Sequence, residues 1–220
     1  MRRIVFAALA LCVTTMAMAQ DTTATTATSA PVSKSSLGIT TNDHLMFQLG
    51  YLNWLNKPDS INTSGLPRTF NAYFMFAFPF KTNPHFSVGI GVGFATDHMY
   101  FDRTNVGIKD VTSKLVFRNL ADTTHFKKYK LSTTFLEAPV ELRFGSKPDD
   151  DKHSVKAALG VKVGTMLSAM VKGKTLEDKN GNAINPYTVK EKSKRFFNTT
   201  RLSLTGRIGY GHFSLFGSWS

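Results

Sequence analysis

Between Phe86 and Ala95 every second residue is small: Ser87, Gly89, Gly91, Gly93 and Ala95 alternate with Phe86, Val88, Ile90, Val92 and Phe94. Side chains switch faces with period two in a strand and not in a helix. A helix would scatter both sets around its circumference, and glycine at alternate places makes a poor helix interior. The segment is a strand with one apolar face and one face that offers water nothing to solvate.

The same parity recurs along the chain. Leu45, Phe47, Leu49 and Tyr51 share a face, with Met46, Gln48 and Gly50 opposite. From Thr69 to Phe80, the residues Phe70, Ala72, Phe74, Phe76, Phe78 and Phe80 line one side, while Asn71 and Tyr73 look the other way. Between Tyr129 and Phe144, Leu136, Ala138, Val140, Leu142 and Phe144 oppose Phe135, Glu137, Pro139, Glu141 and Arg143. Odd-numbered apolar residues from Val155 to Val171 oppose Lys156, Ala158, Gly160, Lys162, Gly164, Met166 and Ser168. Leu202, Leu204, Ile208 and Tyr210 oppose Arg201, Ser203, Thr205 and Arg207, and a last strand begins near Phe213. The connections alternate in length. Lys81–Pro84, Gly145–Lys152 and Gly211–His212 are short, whereas Asn56–Arg68, about Thr96–Lys128 and Gly173–Asn198 are long and polar. Short turns at one end and long loops at the other describe an antiparallel up-and-down transmembrane β-barrel.

A soluble lipocalin-like barrel has the same period with its faces exchanged, apolar inside and polar outside. A water-facing side would carry Lys, Glu and Thr; glycines do not serve there, but they suit the narrow interior of an eight-stranded barrel. The charges on that face are of mixed sign: Glu137, Glu141, Arg143, Lys156, Lys162, Arg201 and Arg207. They are expected to form an interior polar cluster and to pair, because an isolated buried charge costs several kcal/mol. Aromatic residues near strand ends (Tyr51, Trp54, Phe70, Phe80, Phe86, Phe94, Phe144, Tyr210, Trp219) fit interfacial girdles. The expectation is an all-β barrel in lipid, with eight strands required and about seven visible.

The amino terminus reads as an export signal over residues 1–19: basic Arg2 and Arg3, the apolar run Ile4–Val13, and Ala17-Met18-Ala19 before Gln20. That run is too short for a membrane helix, which needs about 20 residues. Residues 20–42 form a Thr/Ala/Ser-rich leader that buries too little apolar surface to repay its ordering entropy. Residues 43–220 make one barrel domain. The only cysteine, Cys12, falls in the signal, so disulfides and thiolate metal sites are not expected. Of 27 basic and 15 acidic residues, two arginines and no acid lie in the signal, which leaves the remainder at +10. Such an excess favours anionic lipid and lipopolysaccharide phosphates; export argues against nucleic acid.

The segment Leu131-Ser-Thr-Thr-Phe-Leu-Glu-Ala-Pro-Val-Glu-Leu-Arg-Phe144 resembles the "Y-L-E-I-P-L-L-L-K" strand of the PorT-like outer-membrane β-barrel family of Bacteroidota. Arg207-Ile-Gly-Tyr-Gly-His-Phe-Ser-Leu-Phe216 is similar to that family's late "G-Y-G-x-F-x-L-F" hairpin. Ala138 stands where the family has a larger aliphatic residue. The resemblance implies an eight-stranded barrel without catalytic residues, one member type of which serves the type IX secretion and gliding apparatus. Family members end on a further strand, so the sequence is expected to lack one loop and one strand at its carboxyl end. The alternative is an irregular strand at Lys114–Arg118, which would reverse the direction of everything after it.

Candidate chemistry is sparse. Asp97-His98 and Asp122/His125 offer an acid near a histidine, yet catalysis needs a nucleophile or activated water within reach of the base. No G-x-S-x-G or HExxH motif is present. Asp149-Asp150-Asp151 lacks the ligand spacing of a calcium loop. No enzyme, cofactor or metal is expected. Lys190, Lys192, Lys194 and Arg195, with Lys127, Lys128 and Lys130, are placed on external loops as a lipopolysaccharide contact. The expected protein is a monomeric, non-enzymatic outer-membrane barrel with a filled interior and loops for envelope or partner contacts. The alternatives are a secretion-assembly component and a soluble ligand-binding barrel.

Overall fold

Strand formation follows the parity of the sequence, and the strands run further than the apolar alternation alone suggests. The computed structural model describes residues 6–13, 45–55, 57–58, 61–148 and 150–220. The expected cleavage site, the leader and Asp149 lie outside the described residues. The elements are β1 (Phe6–Val13), β2 (Leu45–Trp54), β3 (Arg68–Pro79), β4 (Phe86–Phe101), β5 (Thr104–Val106), β6 (Phe117–Asn119), β7 (His125–Gly145), β8 (Val155–Glu177), β9 (Ala183–Lys192), β10 (Thr200–Tyr210) and β11 (Phe213–Trp219).

Seven strands, β2, β3, β4, β7, β8, β10 and β11, form a continuous antiparallel wall in which each pairs with the next. β1 pairs with β11 along Ala7–Val13 and with β2 along Phe6–Leu9, so it occupies the place between the two ends of the wall. The apolar run that reads as an export signal therefore also has the composition of a lipid-facing strand: eight residues without a charge. Lys114–Arg118 does not supply a crossing strand. β6 pairs only with β5, in a small hairpin at the end of the barrel, and the direction of the later strands is kept.

The faces sort as the glycines require. Phe74, Phe76, Phe78, Ile90, Val92, Phe94, Val140, Leu142, Leu159, Val161, Val163, Leu202, Leu204 and Ile208 are exposed on the outer wall. Gln48, Asn71, Tyr73, Glu137, Glu141, Arg143, Lys162 and Ser203 are buried inside. An apolar surface that encircles the wall far exceeds the few hundred Å² a soluble monomer leaves exposed. It is the outward band of a barrel in hydrocarbon, and the lipocalin arrangement is excluded.

Three expectations need correction. A register shift opposite Thr134/Phe135 pairs Phe135 with Met166 and Thr134 with Ser168, leaving Leu167 as an extra residue. Parity flips there, so Ala169 and Val171 turn inward and are buried rather than continuing the lipid face. Trp54 does not join a girdle: it packs on Phe117 with ring centroids 5.9 Å apart. The "loop" residues His125–Lys128 and Gly173–Glu177 are strand, because β7 and β8 continue as a paired ribbon beyond the apolar band and recruit β9. At the opposite end the turns are tight. Gly211 takes φ +57° in a two-residue hairpin and donates its N–H to the Ser154 carbonyl at 3.0 Å, a backbone angle that favours glycine.

Val92→Arg, at the middle of the outer band, is expected to cost about 2–4 kcal/mol in urea unfolding from lipid. Gly93→Val, whose Cβ would collide with the Ala72 carbonyl and Tyr73, is expected to abolish the band that migrates differently when unheated. Phe94→Leu should leave both readouts near wild type.

Candidate functional site

The barrel interior is built from charges standing on glycines. A Cβ at Gly89 would collide with the Arg143 guanidinium, at Gly160 with Glu141 and at Gly164 with Glu137. Gly89 of β4 and Gly160 and Gly164 of β8 open the space into which the charged side chains of β7 fold, while Gly91 and Gly93 make room for Met75 and Tyr73 of β3. Packing and pairing thus come from the same residues.

Glu137, 1% exposed, is the hub. Its Oε2 accepts from the Tyr73 hydroxyl at 2.5 Å and lies 3.4 Å from Lys162 Nζ. Its Oε1 accepts from Arg201 Nε at 2.9 Å and from Arg201 Nη2. Arg201 donates its remaining nitrogen, Nη1, to Asp97 at 2.5 Å, and its guanidinium lies over the Phe135 ring, 4.0 Å from the centroid. Lys162 also donates to the Tyr73 hydroxyl at 3.2 Å. Nearer the short turns, Glu141 accepts from Arg143 at 3.1 Å and from Arg207 at 2.9 Å, and Arg207 reaches Met46 Sδ at 2.9 Å. A neutral layer adjoins these: Asn71 donates to Gln48 at 3.1 Å, and Thr69 donates to Asn71 at 3.0 Å.

Of the seven charged residues assigned to the interior, six meet in these two clusters. Lys156 lies at the short-turn rim, opposite Gly145 and Gly209. Asp97 and Tyr73 are members that sequence reasoning did not place there. Their parity held the signal, since Asp97 shares the face of Gly93 and Ala95, and Tyr73 that of Asn71. The Asp97-His98 pair cannot act as a dyad, because the two side chains occupy opposite faces of β4: Asp97 binds Arg201 inside, while His98 Nδ1 sits 2.9 Å from Ser132 Oγ outside. His125 is buried, with Nδ1 3.2 Å from the Thr123 carbonyl. Asp150 caps the turn Asp151–His153, and its hydrogen bond to the His153 ring, with backbone N–H groups behind it, holds its carboxyl below the usual range.

The end with long connections is closed. Leu52, Met99, Phe101, Tyr129, Leu131 and Val171 from the inner wall pack around Ile61, Val106 and Ile108 from the loops. The Tyr129 hydroxyl donates to the Val106 carbonyl at 3.2 Å and accepts from the Val106 N–H at 3.3 Å, which ties the β5–β6 hairpin into the mouth. Phe197, from the connection after β9, packs against the same cluster. Between plug and charges remains a cavity of about 20 Å³, lined by Thr69, Asn71, Asp97, Lys162, Arg201 and Ser203 among others. That is room for about one water.

An antiparallel wall with an apolar outside, a paired polar inside and tight turns at one end agrees with what the sequence comparison returns, the outer membrane protein beta-barrel domain, over residues 19–219. The chain belongs to this outer-membrane β-barrel family. No curated protein and no solved structure matches it. The outer-membrane setting makes the outward band lipid-facing and leaves the long-connection end solvated. There Lys190 and Lys192 lie on β9 and Lys128 and Lys130 on β7, whereas the chain turns over the mouth after β9. Lys194 reaches the Met166 carbonyl at 3.4 Å, and the Arg195 guanidinium lies 5.3 Å from the Phe196 centroid. The basic loop thus divides into two sites rather than one.

Glu137→Gln removes the carboxylate between two buried cations and is expected to cost about 3–5 kcal/mol of stability by urea titration. Combining it with Arg201→Gln should restore part of the loss, the mark of a direct coupling.

Proposed function

We propose that this outer-membrane barrel is a non-conducting, non-enzymatic envelope protein that works as a monomeric scaffold, with its long-connection end outside the cell as a contact surface. The observation that carries the reading is the filled bore. Ion pairs occupy the middle, an apolar plug of Ile61, Val106 and Ile108 covers the mouth, and space for about one water lies between. Outer-membrane barrels carry short turns on the periplasmic side and longer loops outside, which directs β9 and the β5–β6 hairpin outward. The absence of catalysis is supported by the opposed faces of Asp97 and His98. Membership of the PorT-like branch belongs to the same proposal, as does export by a signal at residues 1–19, whose removal would take β1 with it and leave the place between β2 and β11 to another strand.

The purified protein in planar bilayers is expected to show no large stable conductance, and shortening the β5–β6 hairpin should not open one while the ion pairs remain. A stable pore in the wild-type protein would overturn the reading. Partners recovered by crosslinking in the envelope separate a free-standing scaffold from a component of a secretion assembly, which would be held by stoichiometric partners at its periplasmic turns.

A further inference from the structure

Above the apolar band the outward face of the wall changes chemistry rung by rung. At one level the paired residues are Ala72, Phe94 and Leu136. The next outward rung runs Leu49, Phe70, Thr96, Thr134, Ser168, still apolar on β2 and β3 and hydroxylic on β4, β7 and β8. The rung after that runs Tyr51, Arg68, His98, Ser132, Met170, Lys192. The following one runs Tyr100, Lys130, Lys172, Lys190. Lys128 pairs with Lys174 one rung further.

Three lysines therefore stand on directly paired positions of adjacent strands, about 5 Å apart per step. Arg68, one rung nearer the apolar band, reaches up to their row, its Nη2 donating to the Tyr100 hydroxyl at 3.3 Å with the guanidinium 5.6 Å from the ring centroid. Like charges directly opposite one another destabilise a sheet. The acids nearby look away: Asp97 is engaged with Arg201 inside, and Glu191 pairs with Val171 on the opposite face. Among the described residues no acid stands in these rungs. A row of this kind is stable beside anionic groups, and its height decides which ones. It begins two rungs beyond hydrocarbon-facing Phe94, where lipid headgroups lie, and it faces the lipid rather than the bore.

We propose that Arg68, Lys130, Lys172, Lys190 and Lys192 form a binding site for phosphomonoester-bearing lipid headgroups on the side wall of the barrel. The site rests on the outer-membrane setting and not on the absence of catalysis or conductance, so either part can fail alone. It relocates the lipid contact from the loop containing Lys194 and Arg195 to the β7–β8–β9 ribbon.

The test reconstitutes the full chain in phosphatidylcholine bilayers and measures the motionally restricted fraction of spin-labelled phosphatidic acid against spin-labelled diacylglycerol. The wild-type protein is expected to prefer the phosphate lipid by about tenfold, a preference that added salt weakens. The variant Lys130→Gln/Lys172→Gln/Lys190→Gln should bring the preference close to parity. Lys147→Gln/Lys152→Gln, at the short-turn end, should leave it unchanged. Equal association of the two lipids with wild type, or an unaltered preference in the triple variant, would overturn the proposal. So would loss of the preference in the short-turn variant, which would assign it to net charge. If the triple variant fails to show a heat-modifiable folded band, Lys172→Gln alone is measured, with a loss of about threefold expected.

Discussion

Within hydrocarbon every backbone N–H and C=O must find its partner in the protein, and a sheet can provide that only by leaving no edge. The wall from β2 to β11 meets the demand strand by strand, and β1 takes the position between its two ends. Once the strands form a ring, parity sends half of the side chains into lipid and half into a narrow bore. The phenylalanines of β3 and the branched residues of β8 and β10 satisfy the first half. The second half carries Glu137, Glu141 and their cations, which cannot leave and must neutralise one another in place. Gly89, Gly160 and Gly164 are the consequence, since the Arg143 guanidinium and the Glu141 and Glu137 side chains need their volume.

That dependence connects fold to function. On the proposed reading, a bore filled by coupled charges and capped by an apolar mouth leaves the exterior of the protein as its working surface. The ribbon that β7 and β8 extend beyond the membrane presents lysines on the lipid side and a plugged mouth above the bore.

Much of this was legible in the residues. Gly89, Gly91 and Gly93 tell inside from outside by their alternation alone, and the mixed charges of the inner face call for pairing. Asp97 was hidden only because it lies past the apolar alternation of its strand, in a segment that reads as loop. The ribbon of β7 and β8 escaped notice for the same reason: Lys128, Lys130, Lys172 and Lys174 carry no hydrophobic parity, and their strand state comes from cross-strand pairing. The bulge at Leu167 is one extra residue inside a regular pattern, invisible until its partner strand fixes the register. Val106 and Ile108 are two apolar residues in a polar stretch, and only non-local contact with Leu52, Phe101 and Tyr129 reveals them as a plug.

The central claim is that apolar residues face lipid and charges face the bore, and β10 tests it residue by residue. Single cysteines at Leu202, Ser203, Leu204, Thr205 and Ile208, in a Cys12→Ala background, would carry a fluorophore in bilayers containing a nitroxide-labelled lipid. Strong quenching at positions 202, 204 and 208, and weak quenching at 203 and 205, is the predicted result. The reverse pattern, or quenching without alternation, would contradict the account.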